Sequence, residues 1–165
     1  MQAPPSSQRR PVAGVLCLLL YWVSSIAGAQ TGAWIPLDAF PSQEVVIERS
    51  DGSEETFRAY VATSTRQRRQ GLMNVRSLPA DRGMLFLFYP PQPVSMWMRN
   101  TLIGLDMLFI REDGTIANII QAEPLTLTSR ASEGRVTGVL ELNVGTAERL
   151  GIGPGDRVRH PHFVP

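Results

Sequence analysis

The sequence predicts a mainly β fold, a compact antiparallel β-sandwich or partly closed barrel with two short helices, and three observations carry that expectation. Strand-length apolar runs recur along the chain, at residues 83–88, 105–110 and 139–144. Turn-forming clusters separate the runs: Asp51-Gly52, Tyr89-Pro90-Pro91-Gln92-Pro93 and Gly153-Pro154-Gly155. Helix signals occur in two places only, each good for a few turns at most.

The first segment stands outside the fold. Arg9-Arg10 precede an apolar run over residues 12–26 that ends in Ala27-Gly28-Ala29, the pattern of a secretory signal peptide over residues 1–29. Cleavage after Ala29 leaves a chain that begins at Gln30, keeps no membrane anchor, and is exported to the periplasm or secreted. Cys17 sits inside the apolar run without small residues just ahead of it, so lipid attachment is not expected. Residues 30–43 mix glycine, proline and isolated apolar positions and read as a flexible lead-in. Residues 44–160 form one domain, and 161–165 a tail.

Composition narrows the function. The chain has 165 residues, 16 basic and 15 acidic, for a formal net charge of +1. Every basic residue is arginine; without Arg9 and Arg10, fourteen arginines face fifteen acids. Nucleic-acid partners call for a concentrated basic excess, so none is expected. Cys17 is the single cysteine, which leaves the exported domain without a disulfide, a thiolate nucleophile or a cysteine metal site. The absence of lysine excludes Schiff-base chemistry. With no phosphate loop, dinucleotide fingerprint or Gly-x-Ser-x-Gly elbow, no cofactor is expected.

Within the domain, Val45-Val46-Ile47 and residues 56–61 flank the Asp51-Gly52 turn and predict a hairpin. Ser64 followed by Gln67 is a capping box that opens a short helix, closed by Gly71. Residues 83–88, 105–110 and 116–120 are strands, and 123–134 is a polar surface loop. Alternation over 139–144 places Glu141 and Asn143 on one face and Leu140, Leu142 and Val144 on the other. Thr146 caps a brief helix ended by Gly151, and Gly153-Pro154-Gly155-Asp156 suits a type II turn before a last strand over 157–160.

Gly71-Leu72-Met73, Gly83-Met84-Leu85-Phe86, Trp97-Met98-Arg99-Asn100-Thr101, Leu105-Asp106, Leu140-Glu141-Leu142 and Gly155-Asp156, in this order and spacing, resemble the family called domain of unknown function 192. The resemblance spans about residues 44–160. It implies a compact, mainly β domain, often exported by bacteria, and no assigned activity. Arg99 and Gly104 depart from the lysine and proline that the family often carries there; arginine keeps the charge but not the amine.

The segment from Trp97 to Asp106 combines an aromatic face, a guanidinium, an amide, a hydroxyl and a carboxylate. It is the expected binding face for a small polar or anionic ligand or an envelope polymer, with Trp97 stacking, Arg99 pairing with an anion, and Asn100, Thr101 and Asp106 orienting. The competing structural reading makes Trp97 core, Asn100-Thr101 a turn, and Asp106 a cap for backbone donors. An alternative from another class is a hydrolase using Asp106 and Glu141, two acids in apolar strands; a non-catalytic accessory protein is the third. The methionines read as core filler rather than a copper site, and no metal is expected at His160 or His162, where a disordered tail is the simpler reading. Arg66, Arg68, Arg69, Arg76 and Arg82 are the one basic concentration, read as a solvated helix face, with contact to anionic envelope polymers or a partner protein as the functional alternative.

Overall fold

The computed structural model describes residues 1–2 and 34–163; the signal-peptide segment and the cleavage point after Ala29 fall outside them. Residues 33–165 form one compact unit. It contains nine strands: β1 (Ser42–Glu48), β2 (Glu54–Ala62), β3 (Arg82–Gln92), β4 (Ser95–Met96), β5 (Leu105–Ile110), β6 (Ile116–Ala122), β7 (Arg130–Ala131), β8 (Val136–Asn143) and β9 (Arg157–Arg159). Two helices accompany them, α1 (Thr65–Gln70) and α2 (Thr146–Leu150). Among the described residues no helix is long and apolar enough to cross a membrane.

Seven strands form one curled sheet in the order β6-β5-β8-β3-β2-β1-β9, while β4 and β7 pair separately. The two edges of the large sheet meet at one end. Ile116 N–H donates to the Asp156 carbonyl at 2.8 Å, and Val158 N–H to the Gly114 carbonyl at 2.8 Å, so the fold is a partly closed barrel rather than a sandwich. All pairings in the sheet are antiparallel except β2 with β3. A parallel pair needs a crossover, and the segment carrying α1 supplies it.

Both faces of the sheet are buried along β5, β8 and the first half of β3, whereas β1, β9 and much of β2 keep one face exposed. Val45, Ile47, Phe57, Leu85, Leu108, Leu140 and Val158 form an inner cluster drawn from six strands. Met84, Phe86, Leu105, Met107, Phe109 and Val139 form an outer cluster, roofed by Leu72 and Leu78 from the crossover and by Val94 and Met98. Side chains alternate between the faces along each strand. Odd positions of β5 therefore join the outer cluster and Asp106, Leu108 and Ile110 turn inward. On β8, Val139 and Glu141 face outward and Leu140 and Leu142 inward, as the alternation predicts.

Local signals are realised closely. The hairpin β1–β2 turns through Gly52 at φ 82°, and the Ser64/Gln67 capping box is present in full. Gly155, at φ 96°, follows proline in a turn closed by Asp156 N–H to the Gly153 carbonyl at 3.2 Å. Pro90 and Pro91 offer no N–H, and β3 leaves its ladder with β8 between Leu87 and Gln92.

Four expectations are corrected. Residues 34–43 are not a flexible lead-in: Phe40 is buried in the outer cluster, and Gln70 exchanges two hydrogen bonds with the Ile35 backbone, at 2.8 and 2.6 Å. The loop over 123–134 contains β7. Thr146 makes no cap; the side chain that reaches the start of α2 is Asp106. His160 and His162 are not in a disordered tail, because Phe163 is buried in the inner cluster and His162 contacts the Thr137 carbonyl through Nε2 at 3.2 Å.

Phe163 depends on a glycine. A Cβ at Gly138 would sit 2.6 Å from its ring, closer than carbon atoms approach. Gly138→Ala is expected to lower stability by about 1–3 kcal/mol through overpacking. In Gly138→Ala/Phe163→Ala the alanine adds little beyond Phe163→Ala alone; thermal or urea melts of the four forms check this, and simple additivity would refute the contact.

Candidate functional site

The helix α1 is short and polar, so its position is set by its ends. Ser64 Oγ accepts from Gln67 N–H at 3.2 Å and Gln67 Oε1 accepts from Ser64 N–H at 3.0 Å. At the other end Gly71, with φ 49°, lies against Phe86, whose ring a Cβ would approach to 3.1 Å. Arg68 donates to the Leu87 carbonyl at 3.0 Å and to the Thr63 carbonyl, and lies over the Phe88 ring at 5.3 Å. These contacts hold α1 across the outer face of β3.

A cavity of about 270 Å³ opens between α1 and the segment 94–101. Leu72, Met73, Phe86, Phe88, Val94 and Met96 give it an apolar wall; Thr65, Ser95 and Thr101 add hydroxyls. Trp97, 55% exposed, stands at its edge. Its far side is held by the chain itself: Val94 and Ser132 exchange backbone and hydroxyl bonds, Met98 N–H donates to the Thr126 carbonyl at 3.0 Å, and Asn74 N–H to the Asn100 carbonyl at 2.8 Å.

Among the described residues three ionisable groups line this space, Arg68, Arg69 and Glu141. Glu141 is 4% exposed. Its cross-strand neighbours are Met84 and Met107, both wholly buried. Among the described residues its carboxyl group has no hydrogen-bond or ion-pair partner. Burial alone pushes its pKa up to about 8, because an apolar surrounding disfavours the charged form and nothing nearby compensates. At neutral pH it is therefore a carboxylic acid, with a proton to donate into the cavity.

The expected binding face is divided by the fold. Trp97 and Thr101 line the cavity. Arg99 and Asn100 lie exposed at the tip of the turn, with Asn100 at φ 57°, and are not part of its wall. Asp106 is wholly buried on the inner face, where Oδ1 accepts from Gly145 N–H at 3.1 Å and Oδ2 from Ala147 N–H at 2.8 Å. It satisfies donors at the start of α2, an arrangement whose loss typically costs about 1–2 kcal/mol. Asp106 and Glu141 lie on adjacent strands, with Asp106 opposite Leu142, yet they point to opposite faces. The sheet itself separates them, so the carboxylate pair of the hydrolase reading is not assembled.

Sequence reasoning missed Arg68, Arg69, Met73, Phe86, Phe88 and Met96 as one wall. A signal was present: the basic run follows a capping box and immediately precedes Gly71-Leu72-Met73, so one side of a very short helix had to face the core.

Glu141 makes a stability prediction. Between pH 4.5 and about 8 the folded state holds this proton more tightly than the unfolded chain does. Stability therefore falls as pH rises through that window and levels off above it. Compared with Glu141→Gln, the native protein is expected to lose up to roughly 5 kcal/mol across the window. Urea melts at a series of pH values check this; parallel profiles for the two proteins would contradict it.

Comparison with known proteins places the chain. The DUF192 family model, described as an uncharacterized ACR, matches residues 46–160. A crystal structure from Sinorhizobium meliloti 1021, of a protein put forward as a transcription regulator, is 43% identical with a TM-score of 0.71, covering 73% of this chain and 94% of that one. A protein of unknown function from Novosphingobium aromaticivorans is 36% identical with a TM-score of 0.73, covering 78% and 91%. Part of a leucine–tRNA ligase from Jannaschia sp. is 30% identical over 120 residues, but the chain spans only 14% of that protein's length. The family model spans more than half of the chain, and the chain belongs to the DUF192 family.

Proposed function

We propose that this chain is an exported, non-catalytic binding domain that holds a small ligand with an apolar body in the cavity between α1 and residues 94–101. The observation that carries the reading is Glu141: a largely buried carboxyl group without a protein partner is costly, and here its residual exposure is onto an apolar cavity large enough for a small molecule. A ligand that offers it a hydrogen bond would recover that cost. The partly exposed Trp97 supplies a rigid face at the edge, and the hydroxyls of Thr65, Ser95 and Thr101 give orientation.

Rival readings have less support. A two-carboxylate hydrolase needs both acids in one cleft, and the sheet keeps Asp106 and Glu141 apart. Regulation of transcription, put forward for the Sinorhizobium relative, has no basic excess behind it in a chain of net charge +1. Aminoacylation belongs to whole ligases of which this chain matches a small part.

Two experiments test the proposal. Aromatic probes of the benzoate type are expected to raise the melting temperature of the native protein by mass action. Trp97→Ala, at an exposed position, should leave the melt of the free protein unchanged and weaken the probe about tenfold, the effect of one good aromatic contact. Equal binding by that variant would remove the cavity edge from the site. For export, N-terminal sequencing of the protein produced in a bacterial host with its own leader should read Gln30 first; an intact Met1 would defeat that part of the reading.

A further inference from the structure

The two ends of the cavity differ in kind. On the α1 side the ionisable groups are guanidiniums: Arg68, held in the wall by carbonyls and Phe88, and Arg69, exposed and without a hydrogen bond or ion pair among the described residues. On the sheet side stands Glu141 alone. Among the described residues no other element around it brings an ionisable group to the cavity: β3 presents Phe86 and Phe88, Met84 and Met107 flank Glu141 on the sheet, the segment 94–101 presents hydroxyl, thioether and indole, and Asp106 is on the opposite face. Burial is the cause of the raised pKa of Glu141, with no contribution from either arginine. One space thus has guanidiniums on its helix side, a carboxylic acid on its sheet side and an otherwise largely apolar wall.

We infer that the ligand is a small organic acid bearing a carbonyl oxygen remote from its acidic group, with its anion at Arg69 and the carbonyl accepting the Glu141 proton. This rests on the cavity being a ligand site, as proposed above. An anion at the guanidinium and an acceptor-only oxygen at the carboxylic acid match the donors present. A cation fits neither end, because it meets guanidinium on one side and an uncharged acid on the other. Binding is then proton-linked. When Glu141 ionises it loses the hydrogen that the carbonyl accepts and adds a negative charge to a space holding an anion, so the acid is released as pH rises.

Three probes of one shape test this by calorimetry on the full chain. Para-acetylbenzoate has both features, para-isopropylbenzoate lacks the carbonyl, and para-acetylbenzylamine reverses the charge. At about pH 6.5, where Glu141 holds its proton, para-acetylbenzoate should bind about tenfold more tightly than para-isopropylbenzoate, the size of one net hydrogen bond. The amine should bind weakest. By about pH 9.5 the para-acetylbenzoate affinity should fall about tenfold or more in the native protein and stay level in Glu141→Gln, which keeps a neutral donor. Arg69→Ala should erase the preference for the acid over the amine and leave the pH dependence in place.

Tightest binding by the amine, equal binding of the two acids, or an unchanged pH dependence in Glu141→Gln would each overturn the inference while leaving the cavity as a ligand site. Failure of all three probes to bind would overturn both. The two-acid comparison needs no variant, so it decides the carbonyl contact even if a substitution disturbs folding.

Discussion

Strand β8 is buried on both faces, and that constraint governs the rest of the molecule. In a sheet with one wet face, every second residue is free to be polar. Here every β8 side chain has to answer to one of two apolar clusters, and the strand's neighbours β3 and β5 are placed by the same demand. Gly83 shows how tightly: a Cβ there would lie 2.7 Å from the Glu141 carbonyl oxygen. Close strand approach, two-sided burial and barrel closure are consequences of one packing requirement.

Against that requirement two buried acids, Asp106 and Glu141, have opposite fates. Asp106 faces inward, reaches the start of α2, and is satisfied by two backbone donors; it joins distant parts of the chain and is best understood as a structural tie. Asp156 acts similarly, accepting from Ser50 N–H at 3.0 Å and Gly153 N–H at 2.8 Å, and so fastens the last turn to the first hairpin. Glu141 faces outward and has no such tie. Residue type and apolar surroundings are alike for Asp106 and Glu141; what differs is the availability of backbone N–H groups, and helix starts supply these where sheet faces do not.

How much of this was legible in the sequence follows from the range of each interaction. The hairpin, the Ser64/Gln67 capping box, the turn at Gly155 and the face of Glu141 are decided within a few residues, and they are read correctly. The parallel pairing of β2 with β3, the capping of α2 by Asp106 and the docking of Phe163 under Gly138 join residues far apart in sequence, where local patterns carry no information. The candidate site falls between these cases. Trp97 and Thr101 were recognisable as unusual polar or aromatic breaks beside strands, but the turn carries Arg99 and Asn100 away from the cavity. Arg68, Arg69 and Met73 belong to the wall only because the crossover lays α1 over Phe86.

That crossover has a kinetic side. A six-residue helix has too few internal hydrogen bonds to persist unaided, whereas the floor beneath it belongs to the most interior strands of the sheet. The cavity therefore has one stiff side and one side fastened chiefly by Gln70 to Ile35, by Arg68 to β3 and by Gly71 against Phe86. Local opening favours the element with the fewest fastenings. Of the two sides, α1 is the one that local opening releases first, and the bonds of Gln70 and Arg68 are what delay it.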